Sequence, residues 1–203
     1  MAVDLLAFPF IGGRTALNLA GTLGKRSTEK LERIRTPEDL THWAELAGLG
    51  SIAADAADLE DARVLREALY RLTMTVLGRG VARPADAGSI RSTDVGSAAS
   101  ADVELVNAWA ARKTPAPALV IRSGGLERAD PGPTASAVLA AVARDGVDLL
   151  TGPDASSIRE CEDPACTLLF VDTSRGHRRR WCSMNSCGAR SKMRTLRSSP
   201  SQV

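Results

Sequence analysis

Apolar side chains recur at helical spacing through the first three quarters of the chain, and the segment after residue 36 shows this most simply. Thr36 is a residue type that caps helices, and Pro37 suits the first helical position. Gly48 is a residue type that ends helices. Between them the apolar residues stand at i, i+3, i+4 and i+7: Leu40, Trp43, Ala44 and Ala47. The pattern predicts a helix with one buried face.

The longest periodic stretch covers residues 54–77. One face of the predicted helix is apolar throughout: Leu59, Ala62, Leu65, Leu69, Leu72 and Val76. The charged residues are expected mostly on the solvent side: Arg63, Arg66, Glu67 and Arg71. This division predicts a helix that contributes to the core of the domain.

Three shorter segments complete the first half of the chain. Residues 15–20 follow the turn residues Gly12 and Gly13 and predict a first helix that ends near Gly24. Residues 78–101 are rich in Gly, Pro, Ser, Thr and Asp without periodicity, so they predict a surface loop. Residues 103–111 predict a further helix.

Spacing changes from helical to strand-like near residue 118. Ala118–Arg122 and Leu126–Arg128 flank Gly124-Gly125 and predict a β-hairpin. Pro133 opens a helix that is expected to run through Leu150. Its apolar residues are Val138, Leu139, Val142 and Leu149. The residues that follow, 151–154, break this helix and predict a domain boundary.

These elements predict the α+β class. A mainly helical domain with a small β element is expected over residues 1–152, a smaller module over 153–197 and a flexible tail over 198–203. The composition is 44% hydrophobic and 25% charged, as in an ordinary globular protein. A chain of 203 residues is long enough to bury roughly 70% of its unfolded surface.

Charge is distributed unevenly along the chain. Residues 160–203 hold eight lysines and arginines against four acids, a net charge of +4, while the rest of the chain carries −2. This asymmetry predicts an anionic partner for the C-terminal part alone.

The N-terminus has no basic start or uninterrupted apolar run of the kind found in secretory signals. No window approaches the ~20 apolar residues that a membrane helix needs. We therefore expect a cytoplasmic protein with no membrane partner. The high content of Ala, Arg and Gly is typical of a GC-rich bacterial genome.

All four cysteines lie in the last quarter of the chain, spaced Cys161-x4-Cys166 and Cys182-x4-Cys187. In a reducing compartment such a cluster is more often a metal site than a pair of disulfides. Four thiolates complete a tetrahedral zinc shell and leave no position for substrate, so the zinc is expected to be structural. The alternatives are unmetallated thiols or two disulfides, and His177 as an alternate ligand is less favoured.

The cysteine pairs are set in a predicted order of elements. Pro164 suits a knuckle-like turn between the first two cysteines. A strand over Leu168–Asp172, a turn, a returning strand over His177–Trp181 and a helix over Gly188–Leu196 are then expected. Knuckle, hairpin and helix in this order predict a treble-clef zinc finger.

The segment 181–190, preceded by Cys166, Phe170-Val171-Asp172 and Ser174-Arg175, resembles the CGNR zinc finger. The segments upstream, from Gly12-Gly13 through the Trp43 helix, resemble the ABATE domain that precedes that finger. Two departures stand out. Ala189 replaces the Asn of Cys-Gly-Asn-Arg, and Leu17–Thr22 lacks the Asp and Asn of the family's Leu-Asp-x-x-Asn-Thr.

The resemblance implies a bacterial transcription regulator, linked to stress, whose finger contacts DNA. The candidate phosphate-binding residues are Arg175, Arg178, Arg179, Arg180, Arg190, Lys192 and Arg194. The N-terminal domain is expected to sense a small-molecule effector or a partner. The oligomeric state stays open, with a dimer as one option because many DNA-binding proteins bind two half-sites.

No catalytic constellation is evident, so an enzyme is not expected. His42 lies inside a predicted helix, and the two Gly-Gly segments do not extend to phosphate-loop patterns. Two competitors remain: a protein- or small-molecule-binding module with purely structural zinc, and an enzyme with its site in the N-terminal domain.

Overall fold

A computed structural model gives the fold. It describes residues 7–78, 92–114, 116, 118–122, 124–129 and 132–198. The predicted tail beyond Ser198 lies outside the described residues.

Helices make up most of the described secondary structure. Their bounds are α1 Thr15–Ala20, α2 Pro37–Leu46, α3 Ala56–Val76, α4 Ser92–Ala110, α5 Ala135–Thr151 and α6 Ala189–Ser198. The strands form three antiparallel pairs: β1 Leu23–Gly24 with β2 Leu31–Glu32, β3 Ala118–Arg122 with β4 Gly125–Ala129, and β5 Ile158–Glu160 with β6 Leu169–Val171. The predicted α+β class is confirmed.

Side-chain caps fix the starts of three helices. The Thr36 hydroxyl accepts from the Asp39 N–H, and the Asp39 carboxylate accepts in return from the Thr36 N–H, a capping box that begins α2. Asp55 and Asp58 form the same arrangement at α3. Thr134 accepts from the Ala137 N–H and begins α5. These caps satisfy N–H groups that have no intrahelical partner.

The main core lies where α3, α4 and α5 contact one another and α2 covers α3. Trp43, Leu65 and Leu139 are fully buried there. The predicted apolar faces of α2 and α5 are confirmed, whereas Val76 at the end of α3 is 45% exposed. The chains of α3 and α5 approach closely, since a Cβ built on Gly146 would lie 2.4 Å from Cδ2 of Leu69.

A second core cluster joins the helical domain to the C-terminal module. Leu17 of α1, Tyr70 of α3 and Leu149 of α5 pack with three residues of the strand pair: Ile158, Leu169 and Val171. The backbone is joined as well, because the Val171 N–H donates to the Gly12 carbonyl at 2.9 Å. The β5–β6 pair therefore belongs to both parts of the molecule.

One charged residue of α3 departs from the prediction. Arg66 was expected to face solvent, but it is 3% exposed. Its guanidinium donates to both carboxylate oxygens of Glu32, at 2.7 and 2.8 Å, and to the Thr22 hydroxyl at 3.2 Å. Burial is tolerated because the charge is paired and hydrogen-bonded.

The predicted loop over residues 78–101 is wrong in its second part. Helix α4 already begins at Ser92, while residues 79–91 lie outside the described residues. The helix packs on α3 and α5. Its buried Asp102 accepts two hydrogen bonds from the Arg71 guanidinium, one from Nε and one from Nη2. Tertiary contacts thus outweigh the low helix propensity of the Gly, Ser and Thr residues. Helix α1 also ends earlier than expected, with Gly21 as its cap.

The predicted hairpin is confirmed by the pairing of β3 with β4. Among the described residues, no helix has the length and apolar character needed to cross a membrane.

Candidate metal centre and basic surface

Two chain segments bring the four cysteines together. Cys161 directly follows β5, and Cys166 lies just before β6. Cys182 and Cys187 lie around a single π-helical turn, Met184–Gly188, that continues into α6. The ligand atoms of all four cysteines lie within 4.8 Å of one another. The predicted metal cluster is therefore assembled by local turns at each end of one small module.

Backbone hydrogen bonds shape the first of these turns. The Cys166 N–H donates to the Asp163 carbonyl at 2.7 Å, and the Cys161 N–H donates to the Leu168 carbonyl at 3.0 Å. Pro164 occupies the turn, as expected from the sequence. The Cys182 N–H then donates to the Cys161 sulfur at 3.4 Å and ties the second pair to the first.

The sulfur separations fit a zinc shell. Zn–S bonds of about 2.3 Å in a tetrahedron place the sulfurs about 3.8 Å apart. The Sγ atoms of Cys166 and Cys182 are 3.7 Å apart, and those of Cys182 and Cys187 are 3.5 Å apart. All four cysteines are free thiols, so the disulfide alternative does not describe this structure.

The crowding of four sulfurs determines their ionisation when no metal is bound. Hydrogen bonds to the sulfurs of Cys161 and Cys166 raise the pKa of Cys182, and burial adds to this. Burial raises the pKa of Cys187, and a hydrogen bond shared with Cys161 raises the pKa of Cys166 to about 12. Zinc must displace protons from these thiols, since the metal binds thiolates.

Comparison with known families identifies both parts of the chain. Residues 13–153 match the ABATE model, described as "Putative stress-induced transcription regulator", and residues 157–198 match the CGNR zinc finger. The chain belongs to the ABATE family. Its C-terminal finger binds zinc as a structural cofactor, held by the cysteine cluster. A search of curated proteins found no match.

Within this ABATE chain, Arg190, the Arg of the CGNR motif, contacts a zinc-binding cysteine and a buried acid. The Arg190 guanidinium donates to the Cys187 sulfur at 2.8 Å and to the Asp163 carboxylate at 2.9 Å. Arg194, one helical turn later, donates to the other oxygen of Asp163 at 3.1 Å. Asp163, which is 0% exposed, therefore joins the first cysteine turn to helix α6.

Asp163 has a pKa below its usual value. Burial alone would raise it, but hydrogen bonds from Arg190, the Ala165 N–H and Arg194 outweigh burial. The sequence-based prediction assigned Arg190 and Arg194 to DNA, with ion pairing to a nearby acid such as Asp163 as the alternative, and the structure shows that pairing. The acid's position between two metal ligands, opposite arginines spaced i and i+4, was the available clue.

The other candidate DNA-binding residues separate into engaged and unengaged side chains. Arg179 turns inward, where its guanidinium lies 4.3 Å from the Phe170 ring centroid and donates to the carbonyls of Trp181 and Cys182. Arg180 pairs with Glu162 at 2.6 Å. The remaining three candidates, Arg175, Arg178 and Lys192, are exposed and have no acidic partner among the described residues.

The predicted returning strand over His177–Trp181 is wrong. In the described structure β6 pairs with β5, and residues 177–181 form no strand. The buried Asp172 carboxylate holds residues 174–179 in a loop instead, because it accepts hydrogen bonds from the N–H groups of Ser174 and Arg179, both at 2.9 Å. His177 takes a positive φ of 47° and bonds the Asp172 carbonyl through Nδ1, away from the cysteine cluster.

The hydrogen bond from Ser174 lowers the pKa of Asp172 to about 2, with further help from the Arg179 N–H. The stability that this carboxylate adds is therefore complete above its ordinary pKa and is lost as pH falls toward 2. Asp172 holds the loop that carries Arg175 and Arg178. Ala189, which replaces the motif Asn, is exposed at the first residue of α6.

Proposed function

We propose that the protein is a zinc-dependent DNA-binding transcriptional regulator without catalytic activity. The finger contacts DNA phosphates, and the N-terminal domain senses a small-molecule effector or a partner. The family description and the closed four-thiolate metal site support this proposal.

The observation that carries the proposal is unneutralised positive charge on the finger. Arg175, Arg178 and Lys192 are exposed and have no acidic partner among the described residues. Arginine and lysine side chains of this kind bind phosphates and release counterions.

Gel shift against DNA upstream of the protein's own gene tests the proposal, at about 50 and about 200 mM salt. A triple variant, Arg175→Gln, Arg178→Gln and Lys192→Gln, should bind more weakly. If each residue contacts one phosphate, the slope of log affinity against log salt should fall in magnitude by about 2.7.

A matched variant removes the same charge from the N-terminal domain: Lys30→Gln, Lys113→Gln and Arg122→Gln. These residues are also exposed and lack acidic partners among the described residues. The control should keep the wild-type slope. Equal slopes for both triple variants would show that net charge alone drives binding, and absence of any shift would refute the DNA role.

A second candidate is a protein- or small-molecule-binding module in which zinc only holds the fold. It is favoured by the inward orientation of Arg179 and the ion pairing of Arg180, because both side chains already have partners within the finger. A groove of about 270 Å³ beside α5, lined by Pro133, Ala137 and Val138, is large enough for a small apolar ligand. This candidate predicts no salt-dependent DNA binding by either variant or by the wild type.

A further inference from the structure

A cleft between the two parts of the molecule reaches the metal site. Its volume is about 180 Å³, room for about six waters. One wall comes from the N-terminal domain, with Ile11 and Arg33, and the other from the finger. Cys166, Cys182 and Cys187 are among the residues that line it.

The four sulfurs differ in their access to solvent. Cys161, Cys182 and Cys187 are 5%, 2% and 2% exposed, whereas Cys166 is partly exposed. Cys187 is also covered by the Arg190 guanidinium, which donates to its sulfur at 2.8 Å. A small reagent that enters the cleft therefore meets the sulfur of Cys166 first.

The charges around the cleft favour attack at this sulfur. A zinc ion with four thiolates carries a net charge of −2, and Arg33 and Arg190 line the cleft as cations. A neutral oxidant is not repelled by the thiolates. The guanidinium groups provide positive charge near an oxygen that leaves as hydroxide.

We propose that Cys166 is a modification site at which a hydroperoxide oxidises the zinc shell, forms a Cys166–Cys182 disulfide and releases the metal. The partner is Cys182 because its sulfur lies 3.7 Å from that of Cys166 and lines the same cleft. This inference depends on zinc binding and is independent of DNA binding.

The oxidation proceeds in two steps. The Cys166 thiolate attacks one peroxide oxygen, the O–O bond breaks, and Cys166 becomes a sulfenic acid as hydroxide leaves. The Cys182 thiolate then attacks the sulfenic sulfur, forms the S–S bond and expels a second hydroxide. The two sulfurs lose two electrons to the peroxide, and zinc, left with two thiolates, dissociates to a chelator.

The test uses the zinc-loaded full chain with hydrogen peroxide. A chromogenic chelator follows zinc release, dimedone traps sulfenic acid, and peptide mass spectrometry maps adducts and disulfides. We expect the first adduct on Cys166, a Cys166–Cys182 disulfide formed in step with zinc release, and restoration of zinc binding after a thiol reductant. A first adduct on Cys161 or Cys187, or zinc retained at full oxidant excess, would overturn the proposal.

Two histidine variants distinguish the effect of removing the Cys166 thiolate from the effect of replacing any one of the four zinc ligands. Cys166→His keeps a four-ligand shell at the partly exposed position of the cleft, and it should release zinc at least tenfold more slowly. Cys187→His makes the same change at a buried position and should release zinc at least as fast as the wild type. Slow release in Cys187→His but not in Cys166→His would contradict the assignment. Adduct mapping on the wild type decides the question if either variant binds no zinc.

Discussion

The helical domain and the zinc finger are held together by different means. Among the described residues, the main helical core contains nineteen buried apolar side chains, whereas the cluster at the metal site contains four buried residues, three of which are cysteines. A core as small as the second does not stabilise a module by burial, so the metal supplies the energy. Strand β6 serves both regions, because Leu169 and Val171 face the helices and Phe170 faces the cysteines.

The largest expected effect is the pH dependence of the finger's affinity for zinc. Three thiols have raised pKa values in the metal-free site, Cys166, Cys182 and Cys187, so zinc binding releases protons. Each released proton makes the affinity tenfold lower per unit fall in pH, so three protons should lower it by about a thousandfold. Competition with a chelator of known affinity at about pH 6.5 and about pH 7.5 measures this. A change of tenfold or less would contradict the raised pKa values.

Substitutions on the two faces of β6 should affect the two regions differently. Phe170→Ala leaves a cavity beside three ligands and removes the ring under Arg179, so it should cost about 3–5 kcal/mol and lower zinc affinity at least tenfold. Leu169→Ala should cost about 2–5 kcal/mol of stability, because it leaves a cavity in the core cluster shared with the helices. Its zinc affinity should stay within about threefold of the wild type, because its side chain faces away from the cysteines. Denaturant unfolding and zinc competition on both variants give the two readouts. An equal loss of zinc affinity would show that the faces are not separate.

A smaller effect is expected inside the helical core. Gly146→Ala places a Cβ against the buried Leu69 and should cost about 1–3 kcal/mol without changing zinc affinity. Gly125→Ala is the matched control, since its nearest atom would be 3.8 Å away, and it should change stability by about 0.5 kcal/mol or less. Thermal unfolding of both variants measures the difference, and equal melting temperatures would contradict the close approach of α3 and α5.

The smallest effect is expected in the basic loop. Asp172→Asn keeps an acceptor oxygen for one of the N–H groups of Ser174 and Arg179, places an amide NH2 against the other N–H group and removes the charge, so it should cost about 1 kcal/mol at neutral pH. Asp148→Asn removes an exposed carboxylate on α5 and serves as the control. Denaturant midpoints compare the two, and an unchanged midpoint for Asp172→Asn would mean that the charge contributes nothing to the loop.

Sequence could predict the parts of this molecule that depend on local patterns. Helices α2 and α5 follow from caps and apolar spacing, and the metal cluster follows from the cysteine spacing alone. The burial of Arg66 was not predictable, because its partner Glu32 lies on a strand far away in the chain. Helix α4 as a whole packs on α3 and α5, and these long-range contacts have no signature in its local sequence. The inward turn of Arg179 depends on Phe170, which no periodicity relates to it.

Hydrogen exchange on the zinc-loaded and chelator-treated protein tests the central claim most directly, because it reports the two regions separately. We predict that metal removal abolishes amide protection in residues 161–166 and 177–187 and in α6, while α3, α5 and the Val171 N–H, which donates to the Gly12 carbonyl, keep theirs. Unchanged protection of the finger without zinc would contradict the claim that the metal, and not burial, holds this region together.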